Sequence, residues 1–410
     1  MIRWITPTLG TAPASSGEID STIVVLDVRD LVDKFGNSPL AVRSKIEQGV
    51  ALLGQGKRIV VCCDYGISRS NAIAAGVLAI SSAIPFDQAI KEVSLATGEN
   101  EIKLEPLNAV RAAIATNDPT SLSSDTSRIL ITGGSGFIGQ ALQRALGDSF
   151  YVVAPGRDTV DLLSGALALD LLVKQHGINR IVHLANPRIY TSNRAIGEML
   201  TFLKNVLDVC RENHIGLIYL SNWEVYSGYQ EQETVADENF TLLPKGPYGE
   251  AKLLCETLLN HHRKMYSLKC AVIRSSSVYG EASDRPKFIS NFIKKARENV
   301  TIQTHRYRNG PPRLDLLYID DLIAALVAII RREYWGTLNL GSGFLQGTHD
   351  VAKLIVDKVG SRSLVEFQDV DDYTANVRME ITKAKEVLSW QPAMPFVRGL
   401  DRVLANYLGD

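Results

Sequence analysis

No stretch of the chain approaches the roughly 20 consecutive apolar residues that a membrane helix needs, so a membrane span is not expected. There is no excess of one charge either. Lys and Arg number 44 against 45 Asp and Glu, a net charge of −1, which argues against a protein that holds nucleic acid by bulk attraction. Met1–Gly17 has one Arg and no apolar core of the signal-peptide kind, so export is not expected and a cytoplasmic location is. Cysteine is scarce: Cys62, Cys63, Cys210, Cys255 and Cys270 form an odd, scattered set, which reads as reduced thiols and not as a disulfide framework. There is no internal repeat and no low-complexity tract, and no bound metal is expected. What is present is the balance of an ordinary globular protein, 45% hydrophobic and 22% charged over 410 residues. At roughly 100–200 residues per domain, that length implies two or three domains.

The polar stretch 115–127, ATNDPTSLSSDTS, reads as a linker, which sets expected domains at 1–116 and 128–410 with residues 117–127 between them. Before it, Ser21–Val28 and Lys57–Cys62 are short β-branched runs expected to be buried strands, and Ala41–Leu53 and Ser70–Ser82 have helical spacing. After it, strand-like runs (RILITG, FYVVAPG, RIVHLA, LIYLS, CAVIRSSSVYG) alternate with helical ones, including a helix from Tyr248 to about Tyr266. That alternation predicts a doubly wound parallel sheet.

The strand KRIVVC is followed by Cys63-Asp64-Tyr65-Gly66-Ile67-Ser68-Arg69-Ser70 and then an apolar helix. Strand, tight loop and helix start together suit phosphate capture. The amides of Asp64, Tyr65, Gly66, Ile67 and Ser68 and the helix N-terminus would face an anion. Arg69 would grip two phosphate oxygens with its planar fork. The same positive field would favour the Cys63 thiolate, a nucleophile at neutral pH, and Ser70 would help that thiolate leave. These residues resemble the Cys-x5-Arg loop of the dual-specificity, tyrosine-phosphatase-like family, over roughly residues 1–115. The resemblance implies an α/β phosphatase-like domain, a phosphorylated substrate, and an upstream Asp as general acid. Asp27, Asp30 and Asp33 all stand at about the right distance, with Asp30 preferred. Two departures stand out: Cys62 replaces the family's His before the nucleophile, and the domain is short.

A second loop, Thr132-Gly133-Gly134-Ser135-Gly136-Phe137-Ile138-Gly139, follows the strand RILI and opens a helix. Gly133 would make the tight turn, Gly136 would admit a pyrophosphate, and Gly139 would allow close helix–strand packing, with Phe137 and Ile138 as further contacts. Tyr248 and Lys252 stand four apart, on one helical face, where the ammonium would lower the phenol's pKa and let it exchange a proton with a sugar hydroxyl. Together with HLA (His183–Ala185), VIRSSSVYG, LLYIDDL and NLGSG, these residues resemble the extended short-chain dehydrogenase/reductase family of nucleotide-sugar epimerases, dehydratases and reductases. The resemblance runs from about Arg128 to Asp410. It implies a Rossmann fold with a smaller C-terminal substrate-binding part, a nucleotide-diphosphate sugar as substrate, Ala185 near the cofactor, and a homodimer as one admissible assembly.

At the end of the second strand, Arg157 could accept the 2′-phosphate of NADP, so NADP is expected ahead of NAD, with Asp161 as an adenine contact. Segment 285–314 holds eight Lys or Arg and one Glu. In it Arg313 is the expected diphosphate contact, with Arg306 and Arg308 behind it. Within Ser221-Asn222-Trp223-Glu224-Val225-Tyr226, Asn222 takes the position where the family carries a substrate-facing Ser or Thr, with Ser221 just before it. Glu224 stands where dehydratases and decarboxylases that resemble this domain carry a Glu, which in dehydratases abstracts a proton, and Trp223 takes the place of the dehydratase acid. The expected activity is therefore hydride transfer at a sugar carbon, with epimerisation or reduction ahead of dehydration, joined to a cysteine phosphatase. The alternative is an NADP-binding regulatory scaffold whose phosphatase-like domain acts on or binds a phosphorylated protein.

Overall fold

The computed structural model describes all residues except 17–18, 35, 115–126, 191, 282, 284–286 and 409–410. Residues 117–126 of the expected linker and Arg285 of the basic segment thus lie outside the described residues. The chain divides into two compact units. The first is Met1–Asp125 together with Arg157–Ile178 and Lys204–His214, and the second is the remainder.

In the first unit, β1 (Arg3–Trp4), β2 (Leu9–Pro13), β3 (Ile23–Asp27) and, after α1 (Pro39–Gly54), β4 (Arg58–Cys63) form one sheet in the order β1-β2-β4-β3. β2 and β3 flank β4 in parallel, and only β1 is antiparallel. The register pairs Pro13 and Asp27 with Cys63 and Cys62, so the three parallel strands end at one edge. Helices α2 (Arg69–Ser81), α3 (Phe86–Thr97) and α4 (Leu104–Ile114) complete the segment before the linker. α2 is buried from Arg69 through Ala79, as its Ala-rich sequence allows: a helix apolar on every side belongs in a core. A Cβ on Gly76 would lie 2.8 Å from Val110 and 3.0 Å from Ile46, so Gly76 lets α1 and α4 close on α2.

The first unit also takes in two stretches expected in the second domain. α4 carries the reason. Glu105 pairs with Arg211 at 2.6 Å, and Asn108 bonds both Glu212 (3.0 Å) and Lys174 (2.6 Å).

In the second unit, β5 (Arg128–Thr132) leads into α5 (Phe137–Leu146), then β6 (Tyr151–Val153). After α6 (Leu167–His176), which belongs to the first unit, come β7 (Arg180–His183), α7 (Asn193–Glu212), which passes into the first unit at Lys204, and β8 (Gly216–Asn222). β9 (Thr234–Ala236) precedes the long α8 (Pro247–Tyr266), which starts on a proline at its first turn. After it come β10 (Cys270–Ser275), β11 (Ser277–Tyr279), α9 (Lys287–Arg297), β12 (Ile302–Arg306), β13 (Arg313–Tyr318), α10 (Ile319–Arg332) and β14 (Thr337–Leu340). The chain then runs through β15 (Leu345–Gly347), α11 (Thr348–Val359), β16 (Val365–Asp369) and β17 (Val377–Met379), followed by helices Thr382–Leu388 and Phe396–Leu408.

Six strands form one sheet, β14-β10-β8-β7-β5-β6, parallel throughout. β7, β8 and β10 are almost wholly buried, which is why their sequences run apolar without alternation. The chain leaves β5 for β6 on one side and later returns to β7 on the other. This reversal opens a crevice at the carboxyl ends of β5 and β7, where such sheets bind ligands. The smaller sheets β11-β13-β15, β12-β16 and β17-β9 lie in the C-terminal part. No helix among the described residues is long and apolar enough to cross a membrane.

Candidate functional site

The crevice between β5 and β7 is lined by the glycine loop. Gly133 has φ +74°, a conformation that L side chains rarely adopt, and a Cβ there would stand 2.8 Å from the amide nitrogen of Ala185. A side chain on Gly139 would run into the backbone of Gly133. Gly136 caps α5, so the amides of Phe137, Ile138 and Gly139 open that helix beside the crevice. Such a bare backbone cradle fits a pyrophosphate. Below it, Thr132 Oγ1 and His183 Nδ1 lie 2.7 Å apart, and burial together with the Lys252 charge lowers the His183 pKa to about 3, so this imidazole is neutral. Arg157 and Asp161, expected on the adenosine side, form an exposed ion pair at 3.6 Å.

Tyr248 and Lys252 lie one turn apart on α8. Lys252 is 2% exposed, and its Nζ donates to Leu220 O (2.8 Å) and Asn186 Oδ1 (3.2 Å). It lies 5.5 Å from the centre of the Tyr248 ring, and Tyr190 packs on the other partner at 4.7 Å between centroids. Burial lowers the Lys252 pKa to about 8, against the opposing pull of Cys255, Glu256 and Glu224. Glu224 is the reciprocal case: burial raises its carboxyl to about 7, opposed by the Lys252 charge. Two groups that titrate near neutrality thus influence each other at the end of β8.

Two expected substrate-facing groups are engaged elsewhere. Ser221, 1% exposed, donates to Glu256 Oε1 at 2.5 Å, and Glu256 is clamped by Arg274 at 2.7–3.2 Å. Asn222 caps the short helical turn Trp223–Tyr226, its Oδ1 accepting from the Glu224 amide at 2.9 Å. The Ser221 hydroxyl thus serves Glu256, and the Asn222 carbonyl oxygen serves the Glu224 amide. On the substrate side, Arg313 reaches Glu233 at 3.3 Å, and Arg378 holds the same carboxylate at 2.8 Å. Arg306 and Arg308 are neutralised by Asp369 and Asp371, each at 2.6 Å, so they do not stand behind Arg313 as uncommitted cations.

In the first unit the Cys63 loop closes as a ring of amides around sulfur. Gly66 N donates to Cys63 Sγ at 3.2 Å, and Ser70 Oγ lies 3.3 Å from it. Burial raises the thiol pKa, but the Ser70 hydroxyl and the amides of Ser70, Gly66 and Tyr65 outweigh it, and the net shift is downward. Cys62, one residue earlier, is raised by burial and by Asp27 and Cys63, so the thiolate character belongs to Cys63. Gly66 has φ +69°, and a Cβ there would meet Pro13 N at 2.5 Å. Ser68 Oγ accepts from the Lys103 amide at 3.1 Å, Ile67 O accepts from Asn71 Nδ2 at 2.8 Å, and Tyr65 is exposed.

Arg69, 8% exposed, donates through Nη1 to the carbonyls of Arg29 (3.2 Å) and Leu31 (2.7 Å) and through Nη2 to Asp64. Its Nε lies 3.4 Å from Asp33 Oδ1. Of the three candidate aspartates, Asp33 is the one that lies against Arg69, whereas the preferred Asp30 does not. Asp30 is 61% exposed and paired with Lys45 at 3.1 Å, and Asp27 is chelated by Arg29. The signal that separates the three is tertiary: Arg69 pins the backbone of residues 29 and 31 and so carries Asp33 to the loop. Among the described residues no His, Cys, Asp and Glu cluster could hold a metal ion.

A sequence model described as "NAD dependent epimerase/dehydratase family" matches residues 129–341. UDP-glucuronic acid decarboxylase 1 of Danio rerio is 26% identical over 310 residues, covering 69% of this chain and 73% of that one. An uncharacterized UDP-glucose epimerase of Bacillus subtilis is 25% identical over 311 residues, covering 68% and 97%. Among solved structures, the NAD complex of UDP-glucose 4-epimerase from Thermus thermophilus has a TM-score of 0.59 at 19% identity, covering 69% of this chain and 99% of that one. The NAD complex of dTDP-glucose 4,6-dehydratase from Bacillus anthracis gives 0.61 at 21%, covering 70% and 97%.

Proposed function

This chain belongs to the NAD dependent epimerase/dehydratase family, and from that footing we propose that residues 128–410 carry out hydride transfer at a carbon of a nucleotide-diphosphate sugar, in an epimerisation or a reduction. The cofactor is NAD(P), which when bound supplies a hydride acceptor for an oxidation and a hydride donor for a reduction. The observation that carries the reading is Lys252: a buried ammonium, fixed by Leu220 O and Asn186, one helical turn from Tyr248. Its charge favours the phenolate of Tyr248 over the phenol, so Tyr248 Oη can take the proton of the reacting hydroxyl. Gly133, Gly136 and the amides of Phe137, Ile138 and Gly139 would hold the pyrophosphate. Arg157 and Asp161 would meet the adenosine end, and Arg313 the sugar diphosphate after releasing Glu233. Five buried free thiols suit a reducing compartment, the cytoplasm.

The buried Glu224 favours a second reading, in which a proton next to the transient ketone is removed in an elimination. Incubation with a panel of nucleotide sugars and NAD(P) in deuterated water separates the two. A C4 epimerase should incorporate no solvent deuterium, whereas a dehydratase should yield a labelled 4-keto-6-deoxy product. Bound NADP(H) with no turnover of any nucleotide sugar would favour the scaffold reading.

For residues 1–116 the proposal is a cysteine phosphatase. The Cys63 thiolate attacks phosphorus and forms an S–P bond as the ester oxygen leaves with a proton from Asp33. Water then cleaves that bond, giving its proton back to Asp33, while the Ser70 hydroxyl donates to the departing thiolate. Support comes from the amides on Cys63 Sγ and the buried Arg69. Hydrolysis of an aryl phosphate should vanish in Cys63→Ser and only slow in Cys62→Ser. The reverse pattern, or phosphate binding without hydrolysis, would refute the catalytic claim.

A further inference from the structure

A guanidinium offers an oxyanion its Nε/Nη2 edge, where two parallel N–H groups match two oxygens. In Arg69 the other end is committed, because Nη1 is tied to the carbonyls of Arg29 and Leu31. The Nε/Nη2 edge is covered by acids of the chain itself, Asp64 on Nη2 and Asp33 at 3.4 Å from Nε. Yet this edge is not fully used. Arg69 is 8% exposed, and its Nε and the facing Asp33 Oδ1 are both buried without a hydrogen bond.

The two acids differ in freedom. Asp33 is 27% exposed and has a second cation in Lys103 at 3.7 Å. Asp64 is 51% exposed, pairs among the described residues with Arg69 alone, and sits on the loop immediately after Cys63 beside the exposed Tyr65. A phosphoryl group that takes the Nε/Nη2 edge of Arg69 in both its N–H groups would have to displace the Asp64 carboxylate from Nη2.

We infer that Asp64 competes with the incoming tetrahedral oxyanion for the Nε/Nη2 edge of Arg69, and so sets how tightly the loop holds its anion. This rests on the reading of the Cys63 loop as an anion-binding thiolate site. Asp64 turns outward when the anion arrives, and no covalent change at Asp64 is required. The same carboxylate, left nearby, repels an anion of higher charge more than one of lower charge.

The test uses the full chain, with inorganic phosphate and orthovanadate as probes. Protection of Cys63 from iodoacetamide is read by peptide mass spectrometry, with melting curves run beside it. Asp64→Asn and Asp64→Ala should bind both anions about three- to tenfold more tightly than wild type, and Asp64→Glu, which keeps the charge, should stay near wild type. Equal affinities across the series, or weaker binding in the Asn and Ala variants at unchanged melting temperature, would overturn the role of Asp64 while leaving the loop reading intact. If neither anion protects Cys63 in any of the four proteins, the loop reading itself falls, and the inference with it.

Discussion

Replacing Glu224 by Gln removes a carboxyl whose pKa burial raises to about 7, and leaves a neutral side chain of nearly the same shape. In the unfolded chain that carboxyl would titrate near its ordinary value of 4.5. Between these two values the folded protein holds a proton that the unfolded chain has released, so this group's contribution to stability is fully present below about pH 4.5 and is lost as the pH rises to about 7. At 1.36 kcal/mol per unit of pKa, the loss is about 3 kcal/mol. Gln mimics the protonated acid and does not titrate. The variant should therefore match wild type near pH 4.5 and be more stable by up to about 3 kcal/mol at pH 8, a gain of roughly 5–10 °C in melting temperature. Tryptophan fluorescence suits the measurement, because three of the four tryptophans, Trp223, Trp335 and Trp390, lie in the second unit. The quantity to follow is the difference between variant and wild type as a function of pH, which cancels the other titrating groups. A difference that stays constant from pH 4.5 to 8 would show that Glu224 ionises like an exposed carboxylate, and the burial argument would fail. If Glu224 also acts as a base on substrate, the rise of kcat/KM with pH near 7 should disappear in the same variant.

Tyr248→Phe should abolish turnover while keeping NADP(H) affinity within about twofold of wild type by fluorescence titration, since only the reacting hydroxyl is lost; loss of cofactor binding would make Tyr248 structural. Arg157→Ala should weaken NADPH much more than NADH, because it removes a 2′-phosphate partner, and equal weakening of both would contradict the NADP preference. Asp33→Asn should slow aryl-phosphate hydrolysis by about 10²-fold or more, whereas Asp30→Asn should leave it within twofold, and the opposite ranking would restore Asp30 as the acid.

The elements that sequence made legible are those whose burial leaves a run in the chain. RILIT, RIVH and CAVIRS lie deep in a parallel sheet, so they are apolar on both faces and stand out against polar flanks. The Cys63 and Gly133 loops were legible for a local reason, since each is fixed by a glycine at positive φ between a strand and a helix. The short strands β1 and β2 left no such mark: Leu9–Pro13 (LGTAP) contains Gly and Pro, and becomes a strand only by pairing with β4. Which aspartate meets Arg69 was illegible because three of them share one short segment, and Arg69 and Lys45, remote in sequence, take Asp33 and Asp30 respectively. Likewise, nothing in the local pattern around Arg306 and Arg308 announces Asp369 and Asp371, more than sixty residues away.

The end of β8 shows how such distant partners redirect chemistry. A substrate-facing hydroxyl at one of the last two residues of the strand could relay a proton between substrate and Tyr248. Ser221 has a hydroxyl, but Glu256 holds it, and Arg274 anchors Glu256 in turn. Freeing Ser221 would leave a buried carboxylate with one hydrogen bond fewer, at a cost of about 1–3 kcal/mol. Asn222 has no hydroxyl, and its carbonyl oxygen is occupied by the Glu224 amide. That same cap starts the turn which sets Glu224 where burial holds its carboxyl near pH 7 and where Lys252 feels its charge. Asn222, which has no hydroxyl, thus positions a carboxyl that titrates near neutrality. If Tyr248 exchanges a proton with substrate, Glu224 is a second titratable group within the field of the same Lys252 ammonium. On this account Asn222→Thr alone should not improve turnover, because it supplies a hydroxyl while weakening the cap. Asn222→Ala should lower kcat together with the melting temperature, and should move the Glu224 limb of the pH profile towards ordinary carboxylate values as the turn loosens and water reaches the carboxyl. A pH profile unchanged in Asn222→Ala would separate the cap from the tuning of Glu224 and refute this coupling.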